Sequence, residues 1–262
     1  MLFKTTGRLF IGAFKALFAN FETFLKICWA WFAIFLIGQA ALSSFVPQDP
    51  TSVNAAHLAA LLVFAIVYVL GSASIAVAWH RCLLMEERPG WLHLTVGGRE
   101  LRYALKFLAI SLIMILLTIP VGGLIWLIGL TGFLATVVAT AAMMIFFVLP
   151  FTMRFSLVLP AVALDEPLGL VEAFRDSKGL GLPLSFSAVV VGGVAGGATF
   201  VIGLLAVGAG GASLFAGIAV FILTLALQIS ATALQVSVLT GGYYILRERQ
   251  MPSGGGPQVP ED

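Results

Sequence analysis

Residues 107–153 read FLAISLIMILLTIPVGGLIWLIGLTGFLATVVATAAMMIFFVLPFTM and contain no charged side chain. A helix needs roughly 20 mostly apolar residues to cross a hydrocarbon core about 30 Å thick. The stretch is long enough for two such helices, Phe107 to Ile128 and Phe133 to Met153. The glycines of the connection Gly129 to Gly132 permit a tight turn. The sequence therefore predicts a pair of transmembrane helices here.

The rest of the chain has the same character. Hydrophobic residues make up 60% of the sequence and charged residues 10%, against roughly 45–50% and about 25% in soluble domains. Four further stretches are long enough to span a membrane: Ile27 to Val46, Leu58 to Trp79, Leu184 to Val207 and Leu214 to Leu246. We therefore expect an all-α membrane protein with six transmembrane helices in one domain, residues 1–251. The Gly- and Pro-rich tail, residues 252–262, is predicted to be disordered.

The basic residues give the predicted orientation. In a six-span arrangement all 14 Lys and Arg residues fall on one side of the membrane, and the other side carries a single charge, Asp49. The positive-inside rule assigns the basic side, with both termini, to the cytoplasm. An alternative interpretation treats Ile27 to Ile37 as the apolar part of a signal peptide that is cleaved before Ala41, although the charged leader is unusually long for one.

The six spans are predicted to form three hairpins, each preceded by an interfacial helix on the cytoplasmic side. Residues 1–20 place Phe and Leu on one helical face and basic residues on another, as in helices that lie in the headgroup plane. The segment from Trp91 to Lys106 has a similar alternation. In the third unit Asp165 is expected to cap a short helix that ends at Gly179. The similar spacing suggests a threefold repeat.

Three short motifs resemble a known group of bacterial proteins. They are Arg154-Phe-Ser-Leu-Val-Leu-Pro-Ala-Val-Ala163, Glu172-Ala-Phe-Arg-Asp-Ser-Lys-Gly179 and Ala78-Trp-His-Arg81. The chain looks like the membrane domain fused to some glycerophosphodiester phosphodiesterases and like the related YciC-type inner-membrane proteins. The resemblance implies a bacterial inner-membrane location and a non-catalytic role tied to lipids or the cell envelope. The phosphodiesterase domain itself is absent, so its activity and its metal are not implied.

Four charged residues are candidates for anchoring lipids or loops: Arg154, Asp165, Arg175 and Lys178. Arg154 stands where the fourth span nears the inner surface. It could snorkel to the headgroups, form an ion pair with Asp165 or Glu166, or bind a lipid phosphate.

Two intramembrane faces are candidates for helix packing or for a pore. In span six the polar residues Thr224, Gln228, Thr232 and Gln235 share a helical face, which could line a polar path or bond to a neighbouring helix. In span five small residues recur at four-residue spacing, at Gly192, Gly193, Gly196 and Gly197. Such a surface allows another backbone to approach, either from span six or from a second copy.

The remaining chemistry of the sequence is sparse. His80, Cys82, Glu86, Glu87 and His93 lie between spans two and three, but without the spacing of a zinc site. We therefore predict no metal, no cofactor and no catalytic residue. The two cysteines, Cys28 and Cys82, imply no disulfide.

The sequence favours a non-enzymatic membrane protein that acts as a scaffold, an assembly factor or an accessory subunit of a membrane complex. The expected partners are membrane lipids, with other membrane-protein subunits or a second copy of the chain. A net charge of +2 without a dense basic run argues against nucleic acid. Two alternatives stay open: a transporter or channel for an apolar or lipidic solute, and a lipid-modifying enzyme that uses His80, His93 or Glu86.

Overall fold

The computed structural model describes residues 2–47, 49, 52–129, 132–208 and 214–250, and over these residues all regular structure is helical. Six segments are long and apolar enough to cross a membrane. The prediction of an all-α protein with six such helices is thus confirmed. The predicted disordered tail lies outside the described residues. In chain order the elements are α1 (Leu2–Ala19), α2 (Phe21–Phe45), α3 (Ala55–Met85), α4 (Gly98–Leu127), α5 (Phe133–Met143), a π-helical turn (Met144–Val148), α6 (Leu149–Ser156), α7 (Val158–Ala163), α8 (Leu170–Asp176), α9 (Gly181–Gly208) and α10 (Leu214–Gln250).

The amphipathic helix α1 packs against α9 and α10. Its buried side chains, Leu9, Ala13 and Leu17, follow one another at four-residue spacing and form a single stripe. Phe3 is 88% exposed, but Phe10 and Phe14 are partly buried and pack against the core, so the phenylalanine-rich face overlaps the buried stripe only in part. α1 is therefore part of the helix packing as well as a helix with an apolar outer face.

The second expected interfacial helix does not exist as a separate element. α4 is one continuous helix from Gly98, and the segment before it has no helix between Glu86 and Gly97. The buried carboxylate of Glu100 accepts a hydrogen bond from the Gly97 backbone N–H at 2.8 Å. This contact satisfies a free N–H at the start of α4. It fixes the helix start at Gly98, inside the segment from Trp91 to Lys106 that the sequence assigned to the interface.

The fourth span is longer and less regular than expected, because it runs from Phe133 to Ala163 through α5, the π-helical turn, α6 and α7. Pro150 is the second residue after the π-helical turn. A proline lacks the N–H that an α-helix needs, and its ring clashes with the carbonyl four residues earlier. The wider π turn accommodates that clash. The helix therefore continues past Met153, where the hydropathy pattern predicted its end.

The expected helix cap at Asp165 is wrong. α8 begins after Gly169, whose backbone N–H donates to Glu172 at 3.0 Å. Asp165 stands four residues earlier with a positive φ of 58°, a backbone conformation that Asp tolerates better than most residues. It turns the chain between α7 and α8. Gly179, with a φ of 84°, lies in the turn between α8 and α9, where a helix end was expected.

The buried core lies toward one end of the molecule. In α2 the buried residues fall between Phe24 and Phe35, and in α3 between Gly71 and Cys82. Those of α10 fall between Ile229 and Leu246. We call this part the charged end, because it includes the carboxyl ends of α3 and α10, the amino end of α4 and the charged loops around them. The halves of the helices toward the opposite end are mostly uncovered by the rest of the chain.

Candidate functional site

A buried layer of hydrogen bonds joins α3, α4 and α10 near the charged end. Trp79 Nε1 donates to Ser237 Oγ at 2.7 Å. His80 is fully buried, and its Nδ1 lies 2.8 Å from Thr240 Oγ1 and its Nε2 3.3 Å from Tyr103 Oη. We call these three contacts the polar layer.

The contacts of the polar layer also indicate which ring nitrogen of His80 carries the proton. The Thr240 hydroxyl already donates to the Val236 carbonyl at 2.8 Å, so its oxygen accepts from His80 Nδ1–H. Nε2 then accepts from the Tyr103 hydroxyl. Both ring nitrogens are thereby used within the chain. In the sequence, His80 is a candidate metal ligand or catalytic group. In the structure its neutral ring instead links α3 to α10 and α4 by hydrogen bonds.

The loop after α7 is held by ion pairs to two neighbouring helices. Asp165 accepts hydrogen bonds from Arg99 Nε at 2.8 Å and from Arg102 Nη2 at 2.7 Å. Glu166 binds Arg247 and the hydroxyl of Tyr243 on α10. The hydrogen bond from Arg99 lowers the pKa of Asp165 below its usual value, and Arg102 adds to the effect. Of the four anchoring candidates, Asp165 is thus a loop anchor.

Arg154 contacts α8 and not the two acidic residues with which the sequence allowed it to pair. Its Nη2 donates to the Phe174 carbonyl, and its Nε lies 3.4 Å from Ser177 Oγ. The guanidinium also stacks on the Phe174 ring, 3.7 Å from the ring centre. These contacts occupy the charged group of Arg154 inside the protein.

The other two anchoring candidates lie at the surface. Arg175 is exposed and pairs with the adjacent Asp176 at 3.0 Å, which raises the pKa of Arg175. The backbone carbonyl of Lys178 accepts from Arg249 Nη1 at 3.0 Å. The Lys178 ammonium is exposed and has no partner among the described residues.

The connection between α3 and α4 folds back onto the bundle. Glu87 binds Arg81, whose Nη1 also donates to the Ala163 carbonyl at 3.2 Å. The hydrogen bond from Arg81 to the Glu87 carboxylate lowers the pKa of Glu87. His93 is half-buried, and burial lowers its pKa; its Nε2 has no hydrogen-bond partner in the part of the chain that the structure describes. Within that part, no three His, Cys, Asp or Glu side chains converge as metal ligands.

A cavity of about 260 Å³ lies between α3, α4, α7 and α10 inside the membrane domain. Its walls are apolar apart from hydroxyl and amide groups, and no charged side chain lines it. Two residues of the predicted polar face of span six, Thr232 and Gln235, belong to the lining, whereas Gln228 does not; both glutamines are exposed. Sequence reasoning missed Tyr68 and Ser72, which line the same cavity from α3, because isolated hydroxyls in apolar spans give no periodic signal.

The glycine face of span five is open over most of its length. A Cβ on Gly192 would lie 3.8 Å from Gln235 Nε2. A Cβ on Gly193, Gly196 or Gly197 would meet no described atom within 4 Å beyond its own helix. The close approach of α9 and α10 therefore does not depend on these three glycines.

No protein-family model, no curated protein and no solved structure matches this chain. The function of the chain is therefore inferred from the polar layer, the ion-paired loops and the cavity.

Proposed function

We propose that this polytopic membrane protein is a non-enzymatic scaffold, assembly factor or accessory subunit of a membrane complex. The observation that carries the proposal is the uncovered apolar surface of its helices. In the most apolar part of α9 only 6% of residues are buried within the chain, and in that of α4 only 11%. A chain that buried its own spans against one another would leave far less surface for lipids and for other helices.

The fixed contacts at the charged end also support a scaffold role. The loops there are tied to the helices through Asp165, Glu166 and Arg154, and the polar layer joins α3, α4 and α10 beneath them. Buried hydrogen bonds and paired charges of this kind favour one fixed arrangement. A fixed base with uncovered helices above it suits a protein that holds other membrane components in place.

The same proposal places the charged end in the cytoplasm of a bacterium, with both termini there. All 14 basic residues lie at or near this end in the six-span arrangement, and the positive-inside rule gives such a side to the cytoplasm. The motifs at Arg154 to Ala163 and Glu172 to Gly179 support a relation to the membrane domain of the phosphodiesterase-linked group. Lipids are the partners that every uncovered span contacts.

Photocrosslinking in the native membrane tests the scaffold role. Benzoylphenylalanine is introduced at Ile119 on α4 and at Leu204 on α9, which are 64% and 56% exposed. The control position is Val171 on α8, at the charged end and 77% exposed. We expect a protein adduct of one discrete mass at the two intramembrane positions and none at Val171. Lipid adducts alone at Ile119 and Leu204, together with a purified particle of one chain, would contradict the proposal.

A further inference from the structure

The cavity between α3, α4, α7 and α10 is closed on the side of the charged end. Its lining includes Ala76 on α3 and Leu239 on α10. Farther along those helices toward the charged end, Trp79, His80 and Thr240 belong to the polar layer. A molecule in the cavity therefore meets hydrogen-bonded side chains below it. It would enter from the hydrocarbon region and not from the charged end.

Three residues in the lining of this cavity carry polar groups without a hydrogen-bond partner in the described part of the chain. The hydroxyls of Tyr68 and Ser72 and the amide of Gln235 make no hydrogen bond among the described residues. Tyr68 and Ser72 are partly buried and Gln235 is exposed. In the middle of apolar spans such uncovered groups face hydrocarbon, where water is scarce and an unsatisfied polar group is costly. Three such groups in the lining of one cavity indicate a ligand with its own hydrogen-bonding oxygens.

The charge of the lining defines the class of that ligand. No Lys, Arg, Asp or Glu lines the cavity. The nearby cations Arg102 and Lys106 line a different cavity, of about 590 Å³, at the charged end. An anionic headgroup would lose its hydration without gaining an opposite charge. The intramembrane cavity thus selects a neutral polar group.

We propose that the cavity binds one neutral lipid that carries hydroxyl or carbonyl oxygens, such as a diacylglycerol. Gln235 can both donate to and accept from such oxygens, and the hydroxyls of Tyr68 and Ser72 can donate to its carbonyls. About 260 Å³ is below the roughly 300–1,000 Å³ of pockets that enclose a drug-sized ligand. The cavity therefore holds the glycerol part and the first carbons, and the acyl chains extend along the apolar helices. This binding goes beyond the scaffold role and does not depend on it.

Photolabelling with matched lipids tests the proposal. The purified full chain is placed in phosphatidylcholine nanodiscs with a diazirine-labelled diacylglycerol or with a phosphatidic acid that carries the same acyl chains. Adducts are located by peptide mass spectrometry. We expect diacylglycerol adducts on the cavity-lining parts of α3, α4 or α10, and few adducts there from phosphatidic acid. Equal or stronger labelling of these segments by phosphatidic acid would overturn the neutral-lipid assignment.

Two leucine variants of the same helix sharpen the test. Gln235→Leu removes an amide that lines the cavity, and we expect the yield of cavity adducts to fall about fivefold, as for the loss of one hydrogen bond. Gln228→Leu makes the same change on α10 outside the cavity, and the yield should not change. An unchanged yield in Gln235→Leu, or an equal fall in both variants, would overturn the proposal.

A competition experiment on the wild-type chain keeps the test independent of any folding defect. An excess of unlabelled diacylglycerol should reduce cavity labelling in proportion to its concentration, whereas unlabelled phosphatidic acid should not. Labelling that no neutral lipid displaces would show that the adducts come from bulk lipid, and the proposed site would then be rejected.

Discussion

At the scale of single residues, Gly181 lies where the backbones of α6 and α9 meet. A Cβ at this position would stand 2.6 Å from the carbonyl oxygen of Pro150. A backbone atom cannot move aside as a flexible side chain can, so the contact requires a glycine. The close packing of α6 on α9 thus depends on one missing methyl group.

The substitution Gly181→Ala should destabilise the protein by about 1–3 kcal/mol, the usual effect of overpacking. Gly196→Ala is the matched control on the same helix, because its Cβ would meet no described atom within 4 Å beyond that helix. The control should unfold at the wild-type temperature or slightly above it. The midpoints of thermal unfolding in detergent measure the difference, and equal midpoints for both variants would contradict the packing at Gly181.

The substitution Asp165→Asn should change how stability depends on pH. The pKa of Asp165 is lowered in the folded protein, so its ion pairs contribute fully above the unfolded pKa of about 3.9. That contribution is lost as the pH falls through the lower folded value. Asparagine removes the charge but tolerates the positive φ. The variant should be less stable than wild type at pH 6, and the gap should narrow as the pH falls below about 4 toward the lowered pKa of Asp165.

The unfolding midpoint, measured as a function of pH, tests the role of Asp165. Glu22→Gln is the control, because Glu22 is 78% exposed in its pair with Lys26 and exposed pairs contribute little. The control curve should follow the wild type throughout. A constant gap between Asp165→Asn and wild type down to pH 3 would show that the carboxylate acts by packing and not by charge.

Sequence patterns indicated that glycines and an arginine take part in helix contacts. They did not indicate which glycines make close contacts or which group the arginine binds. The glycines of span five were the predicted packing surface, yet Gly193, Gly196 and Gly197 are open and Gly181 makes the close contact. Arg154 was identified as a special charge, but its partner is the Phe174 carbonyl and not Asp165. The side of a helix that faces inward depends on its neighbours, and a single sequence does not contain that information.

At the scale of elements, α1 shows why amphipathicity alone did not determine a helix's contacts. The sequence identified a surface helix from its phenylalanine face, but its buried stripe is Leu9, Ala13 and Leu17, packed against α9 and α10. The length and existence of the helix followed from local periodicity. Its partner helices come from the far end of the sequence and could not be deduced from that periodicity.

Truncation of the buried stripe of α1 should cost more stability than truncation of its exposed face. Leu9 is 4% exposed and Phe3 is 88% exposed. Leu9→Ala should destabilise the protein by about 2–5 kcal/mol, as for other buried leucines, although Phe3→Ala removes more atoms. Unfolding midpoints in detergent again give the comparison. A larger loss in Phe3→Ala would mean that α1 is held by its outer face and not by the bundle.

At the scale of the whole molecule, the fold separates a charged, hydrogen-bonded end from an apolar part with little internal cover. The number of spans was predictable, because the length and hydropathy of a transmembrane helix follow from the thickness of the bilayer. The cavity was not predictable, because its lining combines Tyr68 and Ser72 of α3 with Gln235 of α10. Of the polar groups that line it, the sequence identified only those of α10.

The proposed orientation predicts which positions a membrane-impermeant maleimide can reach. Both native cysteines are buried, so they should give little background. Ser52, in the connection between α2 and α3, and Gly90, in the connection between α3 and α4, lie at opposite ends of α3. A Cβ at Gly90 would meet no described atom within 4 Å, so a cysteine is tolerated there. With the charged end inside the cell, Ser52→Cys should be labelled on intact cells and Gly90→Cys only after permeabilisation. The reverse pattern would place the basic residues outside, against the positive-inside rule, and labelling of both positions on intact cells would mean that α3 does not cross the membrane.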